Sequence, residues 1–505
     1  MSEISFVDTT LRDGSQSLWA SRMSTGTMLS VIEDIDAAGF ESMEFGFGPS
    51  VRAVQELDED PTAWLRLGPP AATRTPLRWI GGTGGSWIGD EGRRGGVGLG
   101  FRGARQTPSE QVETQRALVD KGITISRISD PWNNFERLAG LLQINDQSGM
   151  LSVVNLAYAI SPRHTDEYYE QKAAEAAALN PWRICFKDVG GILTTERARV
   201  LFPKVVAASS GVPWEFHGHC CTGMASACVV IAAECGIEHI HTGIPPLAEG
   251  DAQPSIFTAV RNLHGLGFDT TIDLEPLQRA SAKLYKIAKR LKYPIGAPVD
   301  TDYAHYGHQV PGGMISHLVY QLLQVGQEAR LPEVLAETAR VRQDLGYPIM
   351  ITPLSQFVGS QAAINVITGQ RYESVSDEII GYAQGVYGEE AIEEMDPDVR
   401  ARILDRKRAE ELANDNDEGP VANLDDLRAG LGDVSDAEFA AILVYGPNVL
   451  PLLRREKEVT AYRFDGSPEA EWLRGLPRQL NGERFIDIQR GDVRLAVKLG
   501  PITDR

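Results

Sequence analysis

Over the first 270 residues, short apolar runs rich in β-branched and aromatic residues alternate with longer segments of helical period, the pattern of parallel βα units. Strands are expected near Ile4–Val7, Ser42–Phe45, Val97–Phe101, Ile123–Ile128, Leu151–Leu156, Arg183–Phe186, Trp214–His217 and His239–His241. Eight such units predict an α/β fold, a TIM (β/α)8 barrel spanning residues 1–271. The third strand has a competitor, because Leu77–Ile80 also reads as a strand. The Gly- and Arg-rich stretch Gly81–Gly96 then separates the two as a long loop or insertion, and Val97–Phe101 is preferred as the barrel strand.

From about Ile272 the period becomes helical with few strand signals, as in Leu274–Leu291 and Ile315–Leu345, which predicts a mainly helical C-terminal domain over 272–460. Within it, Glu389–Glu438 carries acidic runs such as EEAIEEMD, which read as a solvated face or linker. The last segment, 461–505, contains RFIDIQRGDVRLAVKLG. Two alternating strands joined around Arg490-Gly491-Asp492 predict a small β-hairpin that needs a neighbour to cover it. The RGD is read as a turn.

Composition narrows the function classes. With 42% hydrophobic residues over 505 positions, the chain can bury sizeable cores. A formal charge of −20 argues against nucleic-acid binding and against docking on anionic lipid. The five cysteines lie between Cys185 and Cys235 in no disulfide or zinc-ribbon pattern, so a reduced, cytoplasmic protein is expected. The N-terminus shows no secretory signal, and no apolar run reaches the ~18 residues of a membrane span.

Barrel enzymes place their chemistry at the C-terminal ends of the strands. After the first strand, Asp8-Thr9-Thr10-Leu11-Arg12-Asp13-Gly14-Ser15-Gln16-Ser17 packs two carboxylates, an arginine and an amide into one turn. The third strand ends in Arg102, the sixth in Lys187-Asp188 and the seventh in His217-Gly218-His219. Alternation along a strand aims His217 and His219 into the mouth together, where a carboxylate such as Asp13 would complete a metal site with an open position. A lone His-x-His is more often a pair of satisfied core or surface histidines, but lysine and carboxylates at neighbouring strand ends favour the metal. Lys187, at the edge of the buried core, has three explanations: an ion pair with Asp188 or Asp13, a Schiff base, or a carbamate that serves as an anionic ligand.

Taken in order, DTTLRDGSQS, Arg102-Gly103-Ala104, FKDVGGIL and His217-Gly218-His219 resemble the carboxyltransferase domain of pyruvate carboxylase and the related subunits of oxaloacetate decarboxylase and transcarboxylase. Gln253-Pro254-Ser255, Val310-Pro311-Gly312-Gly313, Ile351-Thr352-Pro353, Val358-Gly359 and IIGYAQGVYGE extend the resemblance to about Arg455, and the terminal hairpin resembles the start of a tether segment. The resemblance implies that Asp13, carbamylated Lys187, His217 and His219 hold a divalent metal, with Zn2+ favoured over Mn2+ or Co2+. It implies that Arg12, Gln16 and Arg102 contact the acceptor and its enolate, and that Thr352 binds biotin and exchanges a proton with its ureido nitrogen. No biotin-attachment motif or biotin-carboxylase ATP region is found. The chain is therefore expected to be one subunit of a cytoplasmic multi-subunit biotin-dependent carboxylase, taking carboxybiotin from a separate carrier protein charged by a biotin carboxylase subunit, and to pair as a homodimer. The terminal hairpin and the acidic helical region are candidate carrier contacts.

Departures surround the mouth. Arg102-Gly103-Ala104-Arg105 stands where the family usually has Arg-Gly-x-Asn, Cys220-Cys221 replaces Asp-Thr, and Ile160-Ser161-Pro162-Arg163-His164 replaces a Thr-Gly-Asp turn. These changes point to an acceptor other than pyruvate. Arg105 and Arg163 suit either an additional carboxylate or the surface. Three other readings remain: a metal-dependent aldol or Claisen enzyme of the isopropylmalate synthase and HMG-CoA lyase type, which shares DTTLRDG; decarboxylation of a β-keto acid, the same chemistry reversed; and a degenerate scaffold, which has no need of a full ligand set.

Overall fold

The computed structural model describes residues 3–46, 57, 59–60, 62–82, 108–414, 428–435, 438–439, 442, 450–454, 459, 462, 485–490 and 493–498. Eight strands form the barrel: β1 (Glu3–Asp8), β2 (Ser42–Glu44), β3 (Leu77–Gly82), β4 (Ile123–Ser129), β5 (Leu151–Ala157), β6 (Arg183–Asp188), β7 (Trp214–Gly218) and β8 (His239–Thr242). Each pairs in parallel with the next, and β1 closes the ring by pairing with both β8 (Asp8↔Thr242) and β2 (Asp8↔Met43). A short β9 (Asp269–Thr270) adds beside the start of β1.

The third strand corrects the sequence reading. Leu77–Gly82 bridges β2 (Met43↔Leu77) and β4 (Gly82↔Ser129), so the ring is complete without Val97–Phe101. That segment and Arg102 lie outside the described residues. Arg78 interrupts the apolar run of β3, and its charge is matched only across the barrel by Glu215 of β7, 137 positions away.

Strand alternation sorts the side chains into two layers. Phe186 of β6 and Phe216 of β7 point outward and meet Phe202 of the helix Thr195–Ala208, with ring centroids 5.2 and 5.4 Å apart. The opposite face carries an ionic lumen: Glu44, Arg78, Arg127, Glu215, His217 and His241 are each 0% exposed. Arg78 grips Glu215 through Nη1 and Nη2 at 2.8 and 3.2 Å, and Arg127 Nη2 lies 2.5 Å from Glu44 Oε1. Such pairing offsets a desolvation cost of several kcal/mol per buried ion.

The outer helices begin at local caps. Ser24, Thr165 and Thr194 each accept a hydrogen bond from the backbone N–H three residues on. The helix Leu274–Leu291 runs over the span its period predicts and packs on Thr25–Asp36, with Lys283 Nζ 2.7 Å from Asp34 Oδ2. The stretch expected as Ile315–Leu345 is instead two helices, Gly312–Gln324 and Leu331–Asp344. Gly326 takes a left-handed φ of 64° between them, and Pro332 sits in the first turn of the second.

Residues 1–461 form one compact unit, in which the helical segments cover the C-terminal ends of β4 and β5. Trp132, in the loop after β4, joins the helical core with Leu354, Val358 and Tyr382. Ala157 and Ala159, at the end of β5, pack with Ile349 and Ile351. Glu390, from the acidic run, bonds Asn134 Nδ2 at 2.5 Å and Arg137 Nη2 at 2.6 Å, so this part of the run docks onto the barrel loop instead of facing solvent alone. Gly312 is required at its helix start: a Cβ there would lie 2.1 Å from the Asp251 carboxylate and 2.4 Å from its Cβ. Gly312→Ala is expected to cost about 1–3 kcal/mol by overpacking, read as a lower midpoint in thermal or urea unfolding; an unchanged midpoint would contradict the contact.

The second unit, 462–505, contains the predicted hairpin: β10 (Phe485–Arg490) and β11 (Val493–Lys498) pair antiparallel from Phe485↔Lys498 to Arg490↔Val493. All five cysteines are free thiols, and no described helix is long and apolar enough to cross a membrane.

Candidate metal centre

β1 ends in Asp8, and the chain turns through Thr10–Gly14 into the short helix Ser15–Trp19. Gly14 permits this turn, since a Cβ there would lie 2.5 Å from the Leu247 carbonyl oxygen. The turn presents Asp13 to the two histidines at the end of β7. Asp13 Oδ2 lies 3.6 Å from His217 Nε2, Asp13 Oδ1 lies 3.5 Å from His219 Nε2, and the two Nε2 atoms are 3.3 Å apart. All three residues are buried, with one ligand atom of each lying within 4.8 Å of the others.

Hydrogen bonds orient these ligands. His219 Nδ1 donates to the Asp251 carbonyl at 2.7 Å, which leaves Nε2 with a bare lone pair facing the cluster. His217 Nδ1 lies 3.0 Å from His241 Nδ1, and His241 Nε2 lies 2.9 Å from Glu215 Oε2. Asp13 accepts from Ser17 Oγ at 3.1 Å and from Arg12 Nη1 at 2.5 Å. The donor set fits a divalent cation. Asp13 Oδ1, His217 Nε2 and His219 Nε2 converge on Gln253 Nε2 at 3.2, 3.3 and 3.0 Å, so three lone-pair atoms share an amide with two hydrogens. Lone pairs outnumber donors at this point, a deficit that a cation relieves.

Electrostatics keep the ligands in their binding forms. Burial would raise the Asp13 pKa, but Arg12, with help from His219, Lys187 and Arg127, holds it well below the usual carboxylate range. Burial and the nearby Arg127 push the His217 pKa well down, so its imidazole is neutral. Lys187 is buried on β6, paired in register with His217 on β7. Burial, then Arg127 and Arg12, lower its pKa to about 7 against the opposing pull of Asp13. Asp188 does not hold the lysine: its carboxylate accepts from the backbone N–H groups of Ile192 and Leu193 at 3.0 and 2.8 Å. Two further acid and histidine groupings, Glu44/His217/His241 and Cys185/Glu215/His241, lie deeper. Arg127 and Arg78 already neutralise their carboxylates, so a second cation there would face guanidinium groups.

Arg12 and Gln16 line one cavity of about 140 Å3 beside the metal ligands, walled by Phe45, Trp64 and Ile80. Thr352 is exposed at the turn before the helix Leu354–Thr368, next to Ile351 packed on the β5 end. Arg163 is half-buried against the helical segments. Its guanidinium sits 5.4 Å from the Trp132 ring and Nη1 donates to the Glu390 carbonyl at 3.5 Å, tying the β5 loop to the helical segments. Arg105 lies outside the described residues, as does Arg102. Sequence reasoning missed the roles of Glu215, His241 and Gln253 around the ligands. The strand period held a signal for the first, because Glu215 and His217 fall on one face of β7 and His219 follows just past its end.

The family described as "Conserved carboxylase domain" matches residues 306–481, and that described as "HMGL-like" matches residues 139–284. The chain is 34% identical over 407 residues to a pyruvate carboxylase subunit of Methanocaldococcus jannaschii, a match covering 80% of this chain and 68% of that protein. It is 29% identical over 390 residues to the methylmalonyl-CoA carboxyltransferase 5S subunit of Propionibacterium freudenreichii subsp. shermanii, covering 76% of this chain and 74% of that one. The carboxyl transferase domain of Rhizobium etli pyruvate carboxylase, solved with pyruvate, shares the fold at a TM-score of 0.75 and 24% identity, covering 89% of this chain and 76% of that one.

Proposed function

Because this chain belongs to the family of carboxyltransferase subunits of biotin-dependent carboxylases, which includes the pyruvate carboxylase subunit of Methanocaldococcus jannaschii, we propose that it moves a carboxyl group between carboxybiotin and a small enolisable acceptor. The observation that carries this reading is the convergence of Asp13, His217 and His219 on one point at the barrel mouth, beside a cavity lined by Arg12 and Gln16. Asp13, His217 and His219 would hold a divalent ion, for which two imidazoles and a carboxylate favour Zn2+ over Mn2+ or Co2+. When bound, the ion supplies Lewis-acid stabilisation of the charge that develops on the acceptor oxygen.

The chain's own residues do the rest. Arg12 and Gln16 orient a keto acid or related acceptor in the cavity they line. Lys187, buried and with its pKa lowered to about 7, has the neutral amine needed to take up CO2 as a carbamate and so become an anionic fourth ligand. In the carboxylating direction, carboxybiotin on a separate carrier protein releases CO2. Thr352 passes a proton from the acceptor carbon to the biotin ureido nitrogen, the C–H electron pair becomes the enolate, and the enolate carbon bonds to CO2. The reverse sequence decarboxylates the product. A biotin carboxylase subunit and a carrier protein are the expected partners, and a homodimer the expected assembly. The aldol and Claisen reading accounts for the HMGL-like barrel match but not for the carboxylase-domain match over 306–481.

The test combines metal analysis of the purified protein with biotin-dependent decarboxylation of oxaloacetate and a panel of keto acids. Bound metal together with biotin-stimulated turnover is the expected result; metal without any biotin effect would favour the aldol and Claisen reading. Bicarbonate is further expected to raise metal loading in the wild-type protein and to have no effect on Lys187→Ala. Equal responses in the two proteins would rule out the carbamate.

A further inference from the structure

Beneath the three ligands lies a buried chain of groups that this chemistry does not use. We propose that His241 and Glu215 form a relay that fixes the tautomer of His217 and thereby sets the affinity of the metal centre; the proposal rests on the metal reading above. Glu215 stands two residues before His217 on the same face of β7, and His241 lies on the adjacent strand β8. Both are 0% exposed, so no water competes for their hydrogen bonds.

Proton accounting gives the relay a direction. His217 and His241 meet through their Nδ1 atoms at 3.0 Å, so one of the two must donate. If His217 Nδ1–H donates, a neutral His241 carries its proton on Nε2 and donates it to Glu215 Oε2, 2.9 Å away. Every polar atom in the chain is then paired, and His217 Nε2 presents a bare lone pair to the centre. In the opposite arrangement His241 donates from Nδ1, and His217, accepting at Nδ1, carries its proton on Nε2, where it could not ligate. The first arrangement also sets the His217 Nε2 lone pair toward Gln253 Nε2, a donor 3.3 Å away.

Glu215 is itself held in place from two other strands, bidentately by Arg78 of β3 at 2.8 and 3.2 Å and by Arg183 of β6 at 3.4 Å. Its charge is delivered to His217 through one imidazole. His219, by contrast, is oriented at Nδ1 by a backbone carbonyl. The two ligands therefore differ in basicity, and His217 is the one tuned by a side chain.

The experiment is a competitive Zn2+ titration of the full chain, paired with Co2+ absorption spectra of the visible d–d bands. His241→Phe keeps the ring volume, removes both nitrogens and leaves Glu215 on its arginines. It is expected to weaken Zn2+ binding about 10–100-fold and to change the Co2+ spectrum. His241→Gln, whose amide oxygen can accept the His217 proton, is expected to recover most of the loss, which a purely space-filling role would not predict. A folded His241→Phe that binds Zn2+ within about twofold of wild type, with the same Co2+ bands, overturns the relay alone. Wild-type protein that takes up no Zn2+ overturns the metal reading and the relay with it. If His241→Phe does not fold, histidine-selective 15N spectra of the Zn2+-loaded wild type decide. Protons on His217 Nδ1 and His241 Nε2 support the relay, and the opposite tautomers overturn it.

Discussion

His217→Ala is expected to remove most of the bound metal and to abolish carboxyl transfer while leaving the barrel folded. His217 is one of three converging candidate ligands and meets His241 of the ionic lumen through Nδ1. Asp13, His219 and a Lys187 carbamate would remain in the variant, and the cavity left by the imidazole admits water in place of a bound nitrogen, which weakens the site. Loss of several kcal/mol of electrostatic stabilisation at the enolate corresponds to a rate decrease on the order of 10^3-fold or more. Metal stoichiometry and biotin-dependent turnover should be measured on the same preparation, with circular dichroism as the control for folding. Stoichiometric metal in His217→Ala would remove this residue from the ligand set and with it the three-ligand centre.

Thr352→Ala is expected to separate the two properties that His217→Ala removes together. Thr352 is exposed, on a turn anchored through Ile351 to the end of β5. Removing its hydroxyl should leave stability within about 0.5 kcal/mol and metal content unchanged. Proton transfer between acceptor and biotin would lose its relay, a loss of about 10^2–10^4-fold for a positioned proton-transfer group. Thr352→Ser, which keeps the hydroxyl, should retain most of the activity. Biotin-dependent turnover that survives in Thr352→Ala would assign the proton to another group while leaving the metal centre intact.

Much of the site is legible in the order of residues alone. Asp13 follows the first strand and His217 and His219 alternate at the end of the seventh, so strand periodicity brings the three ligands to one mouth. Lys187 is recognisable because a lysine directly after Arg183-Ile184-Cys185-Phe186 has to enter the barrel edge. The third strand is misplaced for an equally physical reason. Buried parallel strands usually read as unbroken apolar runs, and Arg78 breaks the run in Leu77–Gly82, whereas Val97–Phe101 is continuous. The helix break lies at Gly326, between Gly312–Gln324 and Leu331–Asp344.

Local periodicity, capping residues and strand-end chemistry act over a few positions, so the chain carries in its order alone the βα repeat, the helical segment after it, the terminal hairpin and the ligand residues. Ring closure is a different kind of information. It brings Arg78 to Glu215, Glu44 to Arg127, and His241 and Gln253 to the histidines of β7 across separations of 137, 83, 24 and 36 positions. A charge in a strand costs several kcal/mol to bury until its partner arrives from another strand. Only the closed barrel supplies that partner, and so only the tertiary structure decides that these polar residues are core, that β3 is Leu77–Gly82, and that His217 is held from below by a carboxylate.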